Sequence, residues 1–291
     1  MFRYANPAVF MRLSGALLPW VSLLALIALA TGLFLGFRVP PDYQQGMTVT
    51  IMFVHVPAAI VAESAYALIA VASIFSLVWR HPLADTAARA AAPLGAMFTA
   101  LGLITGSLWG RPMWGAYWVW DARLTSFLLL LFLYLGYIAL WNAIEAETRA
   151  ARAAAILALV GAVNLPVIKF SVDWWNTLHQ GESILSGQIA PVFLWPLLIM
   201  ALGYMLLFAA LWMVRIRTEI VNRRARSLMQ RGADAAGCSG VSNFFAMGGY
   251  GAFIWPAYGV SLLGLLAMIW QSWAAWRAAK KRLAALEEDK K

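Results

Sequence analysis

Long apolar stretches separated by short polar segments dominate the chain. Most of them approach or exceed the roughly 20 apolar residues that a helix needs to cross a bilayer. The pattern predicts an all-α integral membrane protein, with a six-span helical bundle followed by one additional C-terminal membrane helix. The predicted spans are 16–36, 51–79, 93–109, 124–143, 153–170, 191–213 and 251–273.

Composition supports the membrane assignment. Of the 291 residues, 63% are hydrophobic and only 12% are charged, whereas a soluble domain carries roughly 25% charged residues. The net charge of +9 does not indicate nucleic-acid binding, because twelve of the 22 basic residues follow residue 214 in two clusters that are typical of cytosolic segments. The single cysteine, Cys238, excludes an internal disulfide.

The distribution of Lys and Arg predicts the orientation of the spans, because cytoplasmic loops carry the excess. Four alternate segments carry twelve basic residues and the three segments between them carry four. The first set is the N-terminus, 80–92, 144–152 and 214–242, and the second is 37–50, 110–123 and 169–190. We therefore expect the second set on the outer face, which is the periplasm if this is a multi-pass protein of a bacterial inner membrane.

The segment WGRPMWGAYWVWDARLTS, residues 109–126, gathers four tryptophans between two apolar spans. An aromatic belt at the membrane interface accounts for one or two of them. It accounts less well for a cluster interrupted by Gly and Pro and closed by Asp121. Trp114 and Trp118 would share a face of a helix, so we expect a short amphipathic helix lying on the membrane surface.

Two of the three histidines are predicted to share a face with this segment. His55 and His179 lie on the outer side, whereas His81 falls in a cytoplasmic loop. Either histidine alone is more simply explained as an ordinary interfacial or loop residue. Together, beside an aromatic platform, they suit haem, whose iron takes two axial nitrogen ligands and whose flat ring stacks on indoles. Arg111 and Arg123 flank the tryptophans and could pair with the propionates.

Polar and small residues inside the predicted spans add three expectations. Glu63 lies eight residues after His55, about 12 Å deeper and about 80° around the helix, so it is not expected to bind iron; a structural role and a functional one are equally open. Asn164 and Pro166 in the fifth span predict a kink with freed backbone groups. Gly102 and Gly106 form a G-x-x-x-G pattern, a weak indication of close helix packing.

These residues resemble a known family. The tryptophan segment resembles the WWD signature of haem-handling proteins. FVHVPAA and NTLHQGESI, which contain the two outer histidines, are similar to haem exporter protein C, the C component of the bacterial cytochrome c maturation system. This resemblance covers about residues 3–220. Residues 243–276 resemble the small D component, whose opening Phe-Ala-Met-Gly-Gly-Tyr run is present as Phe245 to Tyr250.

The double resemblance predicts three parts. Residues 1–220 would form the six-span haem-handling (WWD) domain, 221–242 an Arg/Gly-rich linker, and 243–291 a single-span D-like segment with a basic tail. Six spans return the chain to the cytoplasm, and both the linker and the tail are basic, so one further span would have to join two cytosolic ends. The family orientation would place Phe245 to Tyr250 near the periplasmic face.

The resemblance implies a haem carrier and not an enzyme. In the family, protein C holds non-covalent haem b at the periplasmic face and presents it to the E component, a periplasmic haem chaperone. The A and B components form an ABC transporter with C and D; this chain contains no G-x-x-x-x-G-K-[ST] motif of its own. Carried over, His55 and His179 are the axial ligands, and the platform consists of Trp109, Trp114, Trp118, Trp120 and Asp121.

Two alternative functions would use the same residues. A b-type cytochrome subunit of a quinone-linked membrane enzyme usually needs haems at two depths and hence about four histidine ligands, whereas this chain has three histidines. A transporter that moves haem through its own bundle stays open. The spans contain few polar residues, which argues weakly against a polar pathway for propionates.

Overall fold

The computed structural model describes residues 6–81, 83–175, 178–179 and 189–235, and the isolated positions 259, 263, 266, 270 and 277. All regular elements in the described part of the chain are helices. They are α1 (Pro7–Gly36), a 3₁₀ turn (Met47–Ile51), α2 (Met52–Trp79), α3 (Ala84–Trp114), α4 (Ala122–Ala143), α5 (Glu147–Gly161), α6 (Asn164–Trp174) and α7 (Pro191–Ala235).

Six segments of the described chain are long and apolar enough to cross a membrane, which confirms the predicted all-α membrane fold. They are Pro7–Gly36, Met47–Trp79, Ala84–Trp114, Ala122–Ala143, Glu147–Trp174 and Pro191–Ala225. The third begins nine residues before the predicted start at residue 93, because the preceding stretch is rich in alanine, the strongest helix former.

Helix α2 forms the centre of the bundle. Its buried face presents small residues such as Ala58, Ala62 and Ala65, which let neighbouring helices approach closely. The hydroxyl of Tyr134 in α4 donates to the carbonyl of Ala62 at 2.7 Å, and its ring meets Tyr66 edge-on at 5.1 Å. These contacts fix α2 against α4 around a buried aromatic pair.

Helix α1 lies at the edge of the bundle. Most of its apolar side chains are exposed, as expected for a helix that faces lipid. It packs closely on α7 at two glycines, which have no side chain to separate the helices. A Cβ on Gly32 would lie 2.6 Å from Met200, and a Cβ on Gly203 would lie 2.9 Å from Leu29. Near the start of α1, the carbonyl of Met11 accepts a hydrogen bond from the guanidinium of Arg217 in α7 at 2.6 Å.

The fifth span is interrupted for two residues just before Asn164, where the sequence predicts a kink. Helix α5 ends at Gly161 and α6 begins at Asn164. The side-chain amide of Asn164 donates to the carbonyl of Ser126 at 2.9 Å, so the polar group inside the span has a partner. This bond ties the start of α6 to α4.

The surface helix predicted for the tryptophan segment is not formed. Helix α3 continues through Trp114 and ends at Gly115, whose φ of 76° is the left-handed conformation that glycine adopts without strain. Residues 115–121 are non-helical, and Asp121 starts α4 by accepting from the amide of Leu124 at 2.7 Å. Trp114 and Trp118 therefore do not lie on one helix.

The chain divides into two units, Met1–Arg226 and Ser227–Lys291. Helix α7 continues to Ala235, so the first part of the predicted linker, 221–242, is helical. The predicted seventh span, 251–273, lies outside the described residues except for four isolated positions that are helical, 259, 263, 266 and 270. The division into a haem-handling domain, a linker and a D-like segment stays a prediction.

Candidate functional site

A cavity of about 630 Å³ lies between α2, α3, α4 and α6, at the end of the bundle where the predicted outer loops meet. Its volume is within the range that small-molecule sites occupy. His55, His179 and three of the predicted tryptophans line it. The described residues that line it are Gln45, Met52, His55, Val56, Ala59, Ile60, Glu63, Ser64, Gly102, Leu103, Gly106, Ser107, Trp109, Gly110, Met113, Trp114, Trp118, Arg123, Leu124, Phe127, Ile168, Lys169, Leu178, His179, Ile189 and Leu197.

His55 projects from the first turns of α2 against α3. Its Nδ1 lies 3.0 Å from the carbonyl of Gly102 and 3.2 Å from the hydroxyl of Thr105. That hydroxyl already donates to the carbonyl of Leu101, so it accepts from the histidine, and a carbonyl can only accept. Nδ1 therefore carries the proton and Nε2 carries the lone pair, the arrangement found in metal-binding histidines.

The G-x-x-x-G pattern makes room for this imidazole. A Cβ on Gly106 would lie 2.9 Å from Cε1 of His55, closer than side chains tolerate. A Cβ on Gly102 would lie 3.0 Å from Phe127, which also lines the cavity. Gly106 therefore leaves room on α3 for His55 of α2, and Gly102 leaves room for Phe127 of α4.

His179 enters the cavity from the loop after α6. Its Nδ1 lies 3.4 Å from Oδ2 of Asp121, and its ring meets Trp114 at a centroid distance of 5.0 Å. Burial lowers the pKa of His179 below that of an ordinary histidine, while the carboxylate of Asp121 acts in the opposite direction. The neutral imidazole, with Nδ1–H directed at the carboxylate, presents its lone pair on Nε2.

Three tryptophans form aromatic walls of the cavity. Trp109 meets the His55 ring edge-on at 5.7 Å and donates from Nε1 to Oε1 of Gln45 at 3.1 Å. Trp114 contacts His179, as described above. The Nε1 of Trp118 is buried and has no hydrogen-bond partner in the described part of the chain.

Trp120 and Asp121, which were expected in the platform, occupy different positions. Trp120 is 75% exposed and does not line the cavity; its ring packs edge-on against Trp118 at 5.4 Å. Asp121 does not line the cavity either. It caps α4 and lies within hydrogen-bond distance of His179.

The two arginines that were expected to bind propionates also occupy different positions. Arg111 is exposed, donates to the carbonyl of Gly115 and lies over the ring of Tyr117; it is not part of the cavity wall. Arg123 lines the cavity and donates from one terminal nitrogen to the carbonyl of Lys169 at 3.2 Å. Its Nε is buried without a partner among the described residues.

Three lining residues were missed by the sequence reasoning as members of the site. Gln45 orients Trp109, Lys169 adds a second cation, and Glu63 places an acid on the wall formed by α2. Glu63 was recognisable as a carboxylate in an apolar span, but its distance from His55 along the helix argued against a shared site. Lys169 was counted only as a loop charge, although it lies within α6.

The arrangement suits a flat, apolar ligand that carries both a metal and carboxylates. Two imidazoles present Nε2, indole rings supply broad contact area, and Arg123 can bind a carboxylate. Among the described residues, no group of three His, Cys, Asp or Glu side chains could hold a bare metal ion.

The fold and the cavity together define a multi-pass membrane bundle that offers two imidazole ligands within an aromatic-walled cavity. Residues 1–231 match the family model described as Heme exporter protein C, and the chain belongs to this family. Residues 248–290 match the model described as Heme exporter protein D. Both resemblances inferred from the motifs are thereby confirmed. The family is named for haem export, a transport function and not an enzymatic one.

Several curated relatives carry the same name, Heme exporter protein C. The protein from Bradyrhizobium diazoefficiens is 56% identical over 227 residues, 77% of this chain and 86% of the relative. The protein from Paracoccus denitrificans is 48% identical over 79% of this chain and 98% of its own length. The Escherichia coli K12 protein is 47% identical over 76% of this chain and 91% of its own length.

Proposed function

We propose that this protein binds haem b non-covalently at the periplasmic face of a bacterial inner membrane and presents it to a periplasmic haem chaperone, the E component of cytochrome c maturation. His55 and His179 are the axial ligands. The observation that carries this proposal is that both histidines line one cavity, each with its Nδ1 held by a hydrogen-bond acceptor.

The groups that accept from the two Nδ1–H atoms differ, and the difference has a chemical consequence. Nδ1–H of His55 donates to a carbonyl and a hydroxyl, whereas that of His179 donates to the Asp121 carboxylate. A carboxylate partner makes an imidazole a more basic ligand. His179 is therefore the stronger electron donor of the pair when both bind iron.

Orphaned polar groups support haem as the ligand. The buried Nε1 of Trp118 and the buried Nε of Arg123 both belong to cavity-lining residues and have no acceptor in the described chain. Leaving a buried donor unpaired costs about 1–3 kcal/mol. The propionates and polar edges of haem are acceptors that would satisfy them.

Exposed aromatic rings at the rim support presentation to a chaperone. Trp120 is 75% exposed and Tyr117 is 59% exposed, both beside the cavity wall formed by Trp118. Exposed aromatic clusters mark interaction sites. In the proposed complex, the ABC transporter A and B components supply ATP hydrolysis, and the fused D-like segment takes the place of a separate D component.

The alternative of a b-type cytochrome redox subunit receives less support. His81 lies at the opposite end of α2 from His55, and its Nδ1 accepts from the amide of Leu83 at 3.3 Å. This leaves one pair of histidines at one end of the bundle. A single haem at one depth cannot carry electrons across the membrane in the manner of a two-haem cytochrome.

Absorption spectroscopy of the purified full-length chain tests the proposal. We expect the low-spin spectrum of haem with two imidazole ligands, and extraction of the haem by acidified organic solvent because it is not covalently attached. His55→Ala and His179→Ala should each lower haem content or change the spectrum, whereas His81→Ala should not. An unchanged spectrum in the double variant His55→Ala/His179→Ala would refute the ligand assignment.

A further inference from the structure

Gln45 lies in the loop between α1 and the 3₁₀ turn, and it lines the cavity together with Trp109 and His55. A tight turn holds its backbone. The amide of Gln45 donates to Oδ1 of Asp42 at 2.9 Å, and its carbonyl accepts from the hydroxyl of Thr48 at 2.7 Å. Both backbone groups of Gln45 therefore have partners within the loop, and the residue is anchored at the edge of the cavity.

The side-chain amide of Gln45 has a defined orientation. The indole Nε1 of Trp109 lies 3.1 Å from Oε1 of Gln45, and an indole nitrogen can only donate. An amide with its oxygen and nitrogen exchanged would place two donors against each other. The oxygen is therefore committed to Trp109. Among the hydrogen bonds between described residues, none uses the amino nitrogen Nε2 of Gln45.

The position of Gln45 determines which part of a cargo it meets. Gln45 is half-buried, the adjacent Gln44 is exposed, and Tyr43 is 90% exposed, so this loop forms part of the rim of the cavity. Burying an isolated charge is costly. A cargo with an apolar ring and ionised carboxylates therefore keeps its carboxylates at the rim, where the amino group of Gln45 is available as a donor.

We propose that Nε2 of Gln45 donates to a carboxylate of the cargo, and that Gln45 makes the cavity prefer a cargo with free carboxylates over its ester. This inference rests on the proposed function, in which the cargo is haem and the carboxylates are its propionates. A hydrogen bond to an ionised acceptor is roughly twice as strong as one between neutral groups. The preference therefore depends on the charge of the cargo.

Titration of the purified full-length chain with haemin and with haemin dimethyl ester, followed by absorption, tests the proposal. The diester has the same iron and ring but no anionic carboxylates. Gln45→Glu keeps an oxygen that can accept from Trp109 and replaces the donor by an anionic oxygen. We expect its affinity for haemin to fall about tenfold or more, which corresponds to ~1.4 kcal/mol, and its affinity for the diester to stay near wild type.

Two further variants control for charge and for folding. Gln44→Glu introduces the same charge at the adjacent position, which is exposed and does not line the cavity; it should keep the wild-type preference for haemin over the diester. Gln45→Met removes the donor without adding charge, and its preference for haemin should also fall. Gln45→Met decides the question if Gln45→Glu fails to fold.

Three results would overturn the role of Gln45. An equal loss of affinity for both ligands in Gln45→Glu would show that Gln45 acts only through Trp109 or the fold. Wild-type affinity for haemin would show that no contact is made. The same loss of preference in Gln44→Glu would show a general repulsion at the rim.

The spectrum of the wild-type protein separates this inference from the proposed function. If wild type lacks the low-spin spectrum of haem with two imidazole ligands, the proposed function fails and the inference fails with it. If wild type has that spectrum and one of the three results above is found, the ligand assignment stands and only the role of Gln45 is wrong.

Discussion

Gly106 leaves the space that the His55 imidazole occupies, since a Cβ at position 106 would lie 2.9 Å from Cε1 of the ring. The ring cannot retreat freely, because its Nδ1 is held by Gly102 and Thr105 on the same helix. One backbone position on α3 therefore decides where the proposed iron ligand on α2 can point.

Gly106→Ala should weaken haem binding while leaving the fold intact. Overpacking costs about 1–3 kcal/mol, which corresponds to a loss of about fivefold to a hundredfold in affinity if it falls on the ligand. Titration of the purified protein with haemin, followed by absorption, measures it. Gly136→Ala is the control, because a Cβ there would lie 3.3 Å from Leu157 and Gly136 is not part of the cavity lining. Equal affinities in the two variants would contradict the role of Gly106.

Asp121→Asn should separate two functions of one carboxylate. Asparagine is as good an N-cap as aspartate, so α4 and the Tm should change little. The charged partner of His179 is lost, and changes in the partner of a metal ligand typically cost about 10–100-fold in affinity. We expect weaker haem binding, measured by titration, with the Tm of the cargo-free protein close to wild type. A fall in Tm without a fall in affinity would leave Asp121 as a helix cap only.

Trp118→Phe should weaken haem binding without destabilising the empty protein. The variant keeps a ring in the wall but removes an indole N–H that is buried without a partner among the described residues. If that group donates to haem, one hydrogen bond of about 0.5–1.5 kcal/mol is lost on binding, or about twofold to tenfold in affinity. Trp109→Phe is the matched comparison, since it gives up the bond to Gln45 and should lower the Tm. Wild-type affinity in Trp118→Phe would show that its N–H does not contact haem.

The sequence was sufficient to predict the spans and the shared face of the histidines. Apolar length identifies a membrane helix directly, and the alternation of six spans places His55 and His179 at one end whatever their detailed packing. The same reasoning could not place Glu63 on the cavity wall. Its rotation and depth relative to His55 are fixed by helix geometry, but the length of a cavity depends on how neighbouring helices pack.

In the tryptophan segment, the predicted end of the third span comes too early. The predicted third span ends at residue 109, yet α3 continues to Trp114 and ends at Gly115, whose φ is positive. Pro112 lies within the last turn of this helix.

The last prediction concerns the division of work between two neighbouring tryptophans. Trp114 contacts His179 inside the cavity, whereas Trp120 is exposed at its rim. Trp114→Ala should lower haem content, and chaperone capture with it. Trp120→Ala should leave haem content unchanged and weaken capture of the haem-loaded protein by the E chaperone. A central interface tryptophan contributes about 2 kcal/mol or more, so its loss should reduce the affinity about thirtyfold. Trp20→Ala, an exposed position on the lipid-facing helix α1, is the control and should change neither quantity. Wild-type capture by Trp120→Ala, together with loss of capture in Trp114→Ala, would mean that the chaperone recognises the haem-holding wall and not the rim.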